Sequence, residues 1–295
     1  MQINRFIIRK IREIWHYRRY ISTRFLASLG FMMLIYELLK LISPINVILS
    51  NNSIYVFCVI LLICVFYSIC SLFFPNKNIT LDINKRTKLT IKKGNILDAD
   101  GLKIIPVNEY FDTHLGDGII NENSIHGQFL SLYKARITEL RQKIDEQLIF
   151  LAPLPNNRER TIVSGLPNNR YPLGSCVRIK IDNSSYLLIA VTRFNKYEHV
   201  EVSTEEYSEI IRKMFNGIEQ LHDGMAVYLP LIGSGISGYE LTDMQIIFII
   251  AQAANLANRL SLTNGFYLYI RNSKQLKKIN LIILKYLYNR WKTLK

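Results

Sequence analysis

The sequence predicts an α/β protein in two parts: an N-terminal two-helix transmembrane hairpin, then a three-layer α/β/α sandwich around a mixed sheet. Three observations carry that prediction. Residues 53–74 (SIYVFCVILLICVFYSICSLFF) run for 22 positions without a charge. Beyond residue 88, runs rich in β-branched and aromatic residues alternate with stretches of helical periodicity. Inside that alternation, Ser203 with Glu206 and Thr242 with Gln245 have the spacing of capping boxes and mark two helix starts.

The membrane part comes first in the chain, over residues 1–75. As a helix, 22 residues rise about 33 Å, enough to cross a hydrocarbon core of roughly 30 Å. A first span is expected over residues 25–42, less pure because Glu37 and Lys40 sit near its end. Three residues apart, these two share a helical face, where they pair or reach to the interface. A polar seam between copies of the helix is the alternative reading. Seven Lys/Arg precede the span and no small-residue cleavage site follows, so a cleaved signal peptide is not expected. Cations flank the pair of spans on the outside, while the connection 43–52 (SPINVILSNN) carries none. The positive-inside rule then places both termini and the C-terminal domain in the cytoplasm.

Charge separates two classes of partner. The 295 residues hold 37 Lys/Arg and 23 Asp/Glu. Residues 1–24 have seven basic and one acidic, 76–93 six and one, 271–295 eight and none, while 94–270 has fifteen against twenty. A nucleic-acid reader concentrates cations on the folded domain that meets phosphates. Here they mostly flank apolar segments, so membrane lipid is an expected partner and nucleic acid is not. The basic C-terminal stretch stays open as a membrane-facing or partner-facing surface. Cys58, Cys64 and Cys70 lie in the second span and Cys176 stands alone, which gives no disulfide framework and suits a reducing compartment.

Residues 76–88 read as a short polar linker, and 89–295 as one domain without internal repeats. Strands are expected over residues 89–92, 102–107, 160–164, 176–181, 186–192, 226–232 and 266–270. Helices are expected over 124–147, 204–221, 243–260 and 274–291.

The chemistry concentrates in glycine-bearing loops. Residues 228–238 (YLPLIGSGISG) hold Gly233, Gly235 and Gly238 in G-x-G-x-x-G spacing between a strand and a helix. A dinucleotide fold would also require an acidic residue at the end of the next strand, but that strand runs into Arg271 and Asn272. What remains is the physics: sparse side chains let backbone N–H groups approach an anion, and a helix N-terminus favours it. A second such loop, 115–119 (LGDGI), also sits between a strand and a helix. Two loops of this kind suit a nucleotide diphosphate gripped from both sides. The five histidines offer no zinc spacing. Ser234 and Ser237 are outside any nucleophile-elbow pattern and are expected to hydrogen-bond phosphate. His126, near a helix start, is expected to pack, with contact to a ligand as the alternative.

The order Gly94-Asn95-Ile96, then KIIPVN (103–108), GDGI (116–119) and LPLIGSGISG (229–238) resembles the macro domain, a binder of ADP-ribose, over roughly residues 88–290. The resemblance implies a macro-type sandwich with Asn95 and Ile96 at the adenine and Asn108 and Asp112 at a ribose or the terminal group. It also implies that Gly116, Asp117, Gly118 and Ile119 enclose the diphosphate together with Gly233, Ser234, Gly235, Ile236 and Ser237. VNEYFDT (107–113) with SIHGQF (124–129) more narrowly resembles the membrane-anchored macro-domain effectors of Thoeris antiphage defence. In that family a TIR-domain enzyme consumes NAD and releases an ADP-ribose derivative, histidine-ADP-ribose in the membrane-bound type. By the resemblance, binding drives homo-oligomerisation and disruption of the bacterial inner membrane, ending in cell death or growth arrest; no cofactor, metal or catalytic residue is implied.

This chain departs from the family pattern at three positions. Asn95 replaces the usual adenine-binding Asp, though its amide oxygen still accepts a hydrogen bond. Phe111 stands where many ADP-ribosyl hydrolases have Asn, and Asp117 replaces a loop glycine, placed to meet a cationic or hydrogen-bonding group on the ligand. These changes favour recognition over turnover. The rival expectations are a membrane-tethered ADP-ribosyl hydrolase and a scaffold that holds a partner through its basic C-terminal segment.

Overall fold

The computed structural model describes residues 17–42, 45, 49, 51–71, 78–115, 119–155, 168–194, 202–233, 241–257 and 259–294. The chain forms two compact units, Met1–Asn76 and Lys77–Lys295. In the first, α1 (Arg18–Lys40) and α2 (Ser53–Cys70) pack against each other. Their 23 and 18 residues rise about 35 and 27 Å, and both are long and apolar enough to cross a membrane. Helix α1 starts before the expected residue 25 and takes in Arg18, Arg19 and Arg24. Helix α2 ends at Cys70, and the expected 72–74 lie outside the described residues. Lys40 Nζ lies 3.4 Å from both Glu37 carboxylate oxygens, so these two pair within α1. All four cysteines are free thiols.

The second unit is built on a seven-stranded mixed sheet: β1 (Asn78–Asp82), β2 (Lys88–Lys93), β3 (Leu102–Asn108), β4 (Cys176–Ile181), β5 (Ser184–Thr192), β6 (Val227–Pro230) and β7 (Phe266–Ile270). Their order is β1-β2-β7-β6-β3-β5-β4. The five central strands are parallel, and β1 and β4 close the edges antiparallel. Strand side chains alternate between faces, and the two faces feed two cores. Leu102 and Ile104 of β3, with Leu187, Ile189 and Val191 of β5, join a core with α5 (Thr204–Leu221), α6 (Asp243–Leu256) and α8 (Leu281–Thr293). Ile105 and Val107, with Tyr186, Leu188 and Ala190, join the other, under α3 (Ile125–Leu132) and α4 (Ile137–Leu148). The result is the expected three-layer sandwich.

Both expected capping boxes form, Ser203 with Glu206 and Thr242 with Gln245. Several boundaries are corrected. The linker expected at 76–88 is occupied by β1 and its turn into β2, because Ile79, Leu81 and Ile83 alternate inward to the core beneath a polar composition. The helix expected over 124–147 is broken at Tyr133–Arg136, where the Tyr133 hydroxyl lies 2.9 Å from that of Tyr186 and Arg136 forks onto Glu139 and Asp182. The helix expected over 274–291 is two, α7 (Ser273–Lys278) and α8, divided where the Asn280 side chain accepts the Ile283 N–H at 3.0 Å. Helix α6 stops at Leu256 instead of residue 260, and β6 covers 227–230 instead of 226–232. The strand expected at 160–164 lies outside the described residues.

Candidate functional site

The chain runs from β3 towards β5 on one side and from β6 towards β7 on the other, so the strand order reverses between β3 and β6. In open α/β sheets this is where a crevice forms beyond the carboxyl ends of the strands. The local sequence opens it. The β3–β6 ladder pairs only Leu102↔Val227 and Lys103↔Tyr228; beyond it come Pro106 and Pro230, neither with an N–H to donate. A cavity of about 590 Å³ occupies this position, lined by Asn108 from β3, Thr192 from β5 and Phe194 after it, Pro230 from β6 and Gly233 after it, and Arg271 after β7. Its volume falls in the range of small-ligand sites, roughly 300–1,000 Å³.

Asn108 organises one wall. A bulge between Val107 and Asn108 shifts the pairing so that Asn108 stands opposite Thr192. Its side-chain oxygen accepts the N–H groups of Tyr110 (3.1 Å) and Asp112 (3.3 Å), and its amide nitrogen donates to the Asp112 carboxylate at 2.9 Å. The turn so built holds Phe111 at φ 53, a left-handed conformation that non-glycine residues seldom adopt. Its ring is buried in the core, edge-on to Tyr171. Glu109 ties the turn down: its N–H donates to Thr192 O (2.8 Å), one carboxylate oxygen accepts Phe194 N–H (3.0 Å), and the other accepts from Arg170 (3.0 Å).

The facing wall is the start of α3. The Ser124 side chain caps it by accepting the Gly127 N–H at 3.0 Å, and Ser124 and Ile125 line the cavity, so the positive end of the helix dipole borders the space. A Cβ at Gly127 would lie 2.4 Å from the Asn121 carbonyl oxygen, which shows how closely the preceding loop rests on the helix. His126 lines the same cavity. Its Nε2 sits 3.0 Å from the Asp112 carbonyl oxygen, which fixes Nε2 as the donor and leaves Nδ1 unprotonated. Burial pushes its pKa down to about 4, outweighing the opposing effect of Asp112. It is therefore neutral at pH 7.

Of the expected residues, Asn108, Ile119 and Gly233 are brought together around the cavity, with Gly233 at φ 88. Asp112 is buried behind the wall, bonded to Asn108. Asn95 and Ile96 follow β2 on the same edge of the sheet, where Gly94 N–H donates to Ile270 O (3.3 Å); they are not among the lining residues. Asn95 caps a short 3-10 turn, and its amide nitrogen donates to Asp98 at 3.0 Å. Gly116, Asp117 and Gly118, and Ser234, Gly235, Ile236 and Ser237, lie outside the described residues. For His126 the sequence favours packing over contact with a ligand, and it does not single out Arg271 or Gln275 as facing one. Arg271 carries the one formal charge at neutral pH among the described lining residues. No local pattern in the sequence marks it; the strand order alone brings the end of β7 to the crevice.

Residues 89–264 match the family described as Thoeris protein ThsA, Macro domain. The chain is 34% identical over 173 residues to the Thoeris protein ThsA of Bacillus amyloliquefaciens (strain Y2), a stretch that covers 57% of this chain and 56% of that protein. It thus spans about half the length of the curated relative it matches. Among solved structures it is similar to the Oceanobacillus iheyensis macrodomain with MES bound (12% identity, TM-score 0.47, 72% of this chain and 98% of that one). It is also similar to the Trypanosoma brucei macrodomain in complex with ADP-ribose (14%, TM-score 0.40, 66% and 68%). With the family match covering more than half of its residues, the chain belongs to the ThsA macro-domain family of Thoeris proteins.

Proposed function

We propose that the cavity binds an ADP-ribose-type nucleotide and that the protein is a membrane-anchored Thoeris effector. The observation that carries this reading is the cavity at the strand-order reversal of a ThsA-family macro domain. Its described lining combines Arg271, the start of α3 and four asparagines, Asn108, Asn121, Asn123 and Asn272, with no carboxylate. Such a lining favours an anion with many hydrogen-bonding groups. In this reading Asn95 and Ile96 meet the adenine, and Gly116 to Ile119 with Gly233 to Ser237 enclose the diphosphate. Asn108 touches the distal ribose, Asp112 holds Asn108 in place, and Arg271 balances phosphate charge. The signal is an ADP-ribose derivative, histidine-ADP-ribose, released from NAD by a TIR-domain enzyme. Binding favours self-association, which concentrates the apolar helices in a bacterial inner membrane and disrupts it, with both termini cytoplasmic.

Recognition without turnover is supported by Phe111, whose ring is directed into the core where hydrolases of this fold present an amide. Titration calorimetry of the full chain in detergent against ADP-ribose and its histidine conjugate tests the reading. Both should bind, and Arg271→Ala should weaken binding about tenfold, the loss of one charge-assisted contact. Oligomer size should rise with ligand. No heat from either nucleotide with folded protein would reject the proposal. Sustained release of ADP-ribose from a modified protein, dependent on Asp112, would establish the hydrolase instead.

A further inference from the structure

Charge is divided unevenly over the second unit. Among the described residues, 78–93 and 272–294 together hold eleven Lys/Arg and a single acid, Asp82. These two segments are neighbours in the fold, because α8 packs on β1 and α7 on β2 and β7. They form one edge of the sandwich, with Lys85, Arg86 and Lys88 around the β1–β2 turn and Lys277, Lys278 and Lys285 exposed on α7 and α8. Lys292 Nζ donates to the Asp82 carbonyl and joins the end of α8 to that turn.

Elsewhere in the domain most of the described arginines have a carboxylate partner. Arg136 pairs with Glu139 and Asp182, Arg141 with Asp145, Arg178 with Asp223, Arg193 with Glu206 and Arg212 with Glu209. On the β1 edge, Lys88 with Asp82 at 3.9 Å is the ion pair among the described residues. Cations left without carboxylates along one edge repel each other unless an anionic surface faces them. The edge also ends in Leu294, which is 81% exposed.

We propose that this β1–α7–α8 edge docks on the anionic face of a phospholipid bilayer. The proposal rests on the reading that α1 and α2 span a membrane, since that reading brings a bilayer within reach. The seven chain steps from Ser71 to Asn78 extend at most about 24 Å, and Asn78 begins the edge strand itself. An exposed cation brought to an anionic leaflet contributes roughly fivefold to partitioning, and a tethered domain incurs little further cost of association. Nucleic acid has the same phosphate chemistry but no such tether.

The test uses the full chain in nanodiscs of phosphatidylcholine, alone or mixed with phosphatidylglycerol. Lysine acetylation by an uncharged ester is followed by mass spectrometry. In the mixed discs, labelling of Lys277, Lys278 and Lys285 should fall at least about fivefold, while Lys134 and Lys180, exposed towards the β4 edge, change less than about twofold. Raising salt from about 0.15 M to 1 M should restore labelling, because the screening length drops from about 8 to 3 Å. Equal labelling in both lipids overturns the proposal. Protection by duplex DNA in phosphatidylcholine discs, without protection by phosphatidylglycerol, assigns the edge to nucleic acid and also overturns it. Reversing Lys277→Glu, Lys278→Glu and Lys285→Glu together should remove protection at Lys85 and Lys88; if that variant does not fold, the wild-type footprint decides. Failure of the chain to co-elute with the discs would instead refute the membrane spans. ADP-ribose calorimetry on the same discs reports on the nucleotide reading separately.

Discussion

Acidification should destabilise the macro domain through His126, by an amount set by its burial. The side chain is 8% exposed, and desolvation lowers its pKa from 6.5 to about 4 despite the counteracting pull of Asp112. The unfolded chain therefore takes up a proton as pH falls below 6.5, while the folded domain resists until about 4. Stability is thus complete above pH 6.5 and declines on acidification through that window. At 1.36 kcal/mol per unit, the loss is about 2 kcal/mol by pH 5 and about 3 kcal/mol at its limit. Urea unfolding of the full chain in detergent at pH 7, 6 and 5, for wild type and His126→Gln, isolates the contribution. Other acid-sensitive groups act on both proteins, so the difference between the two pH dependences belongs to His126. Parallel curves, with no excess loss in the wild type, would refute the assignment of a buried neutral imidazole at the cavity wall.

Two further variants probe the scaffold around the cavity. Gly127→Ala places a methyl group 2.4 Å from Asn121 O and 2.6 Å from the Glu122 Cα. It should cost about 1–3 kcal/mol in thermal unfolding and weaken ADP-ribose binding, since loop 119–123 must move away. Glu109→Gln leaves the Arg170 guanidinium without its carboxylate at a site where Glu109 is 1% exposed. The expected loss is about 3 kcal/mol in urea unfolding, while the backbone bond to Thr192 O persists and the Gln amide oxygen can still accept the Phe194 N–H. A Glu109→Gln protein with wild-type stability would show the ion pair to be dispensable.

Strand alternation in 102–108 and 184–192 separates the two cores residue by residue, and the capping boxes at Ser203 and Thr242 are local signals, so both were readable from the chain. What escaped had physical causes. In β1, inward Ile79, Leu81 and Ile83 are outweighed by polar neighbours that simply face outward from an edge strand. Asn280 reads as one more polar position on a helix face, and only its bond to Ile283 N–H reveals a cap. Within the site, Ile119 and Gly233 were legible because loops with few side chains stand out in a sequence, and Asn108 because the strand that it ends resembles that of a macro domain. Arg271 was not, because a parallel sheet, rather than any local pattern, carries it to Asn108 across more than 160 positions.

Suspending a domain from its first edge strand has a mechanical meaning. β1 is held to β2 by five residue pairs, from Asn78↔Lys92 to Asp82↔Lys88, and drag on the preceding helix enters at Asn78. A pull along the strand shears all five pairs together and meets high resistance, whereas a sideways pull peels them one at a time. Because Ile79 and Leu81 sit in the larger core, peeling would bare the packing surface of α8. The direction in which the chain before Asn78 is pulled therefore sets how readily this sandwich comes apart.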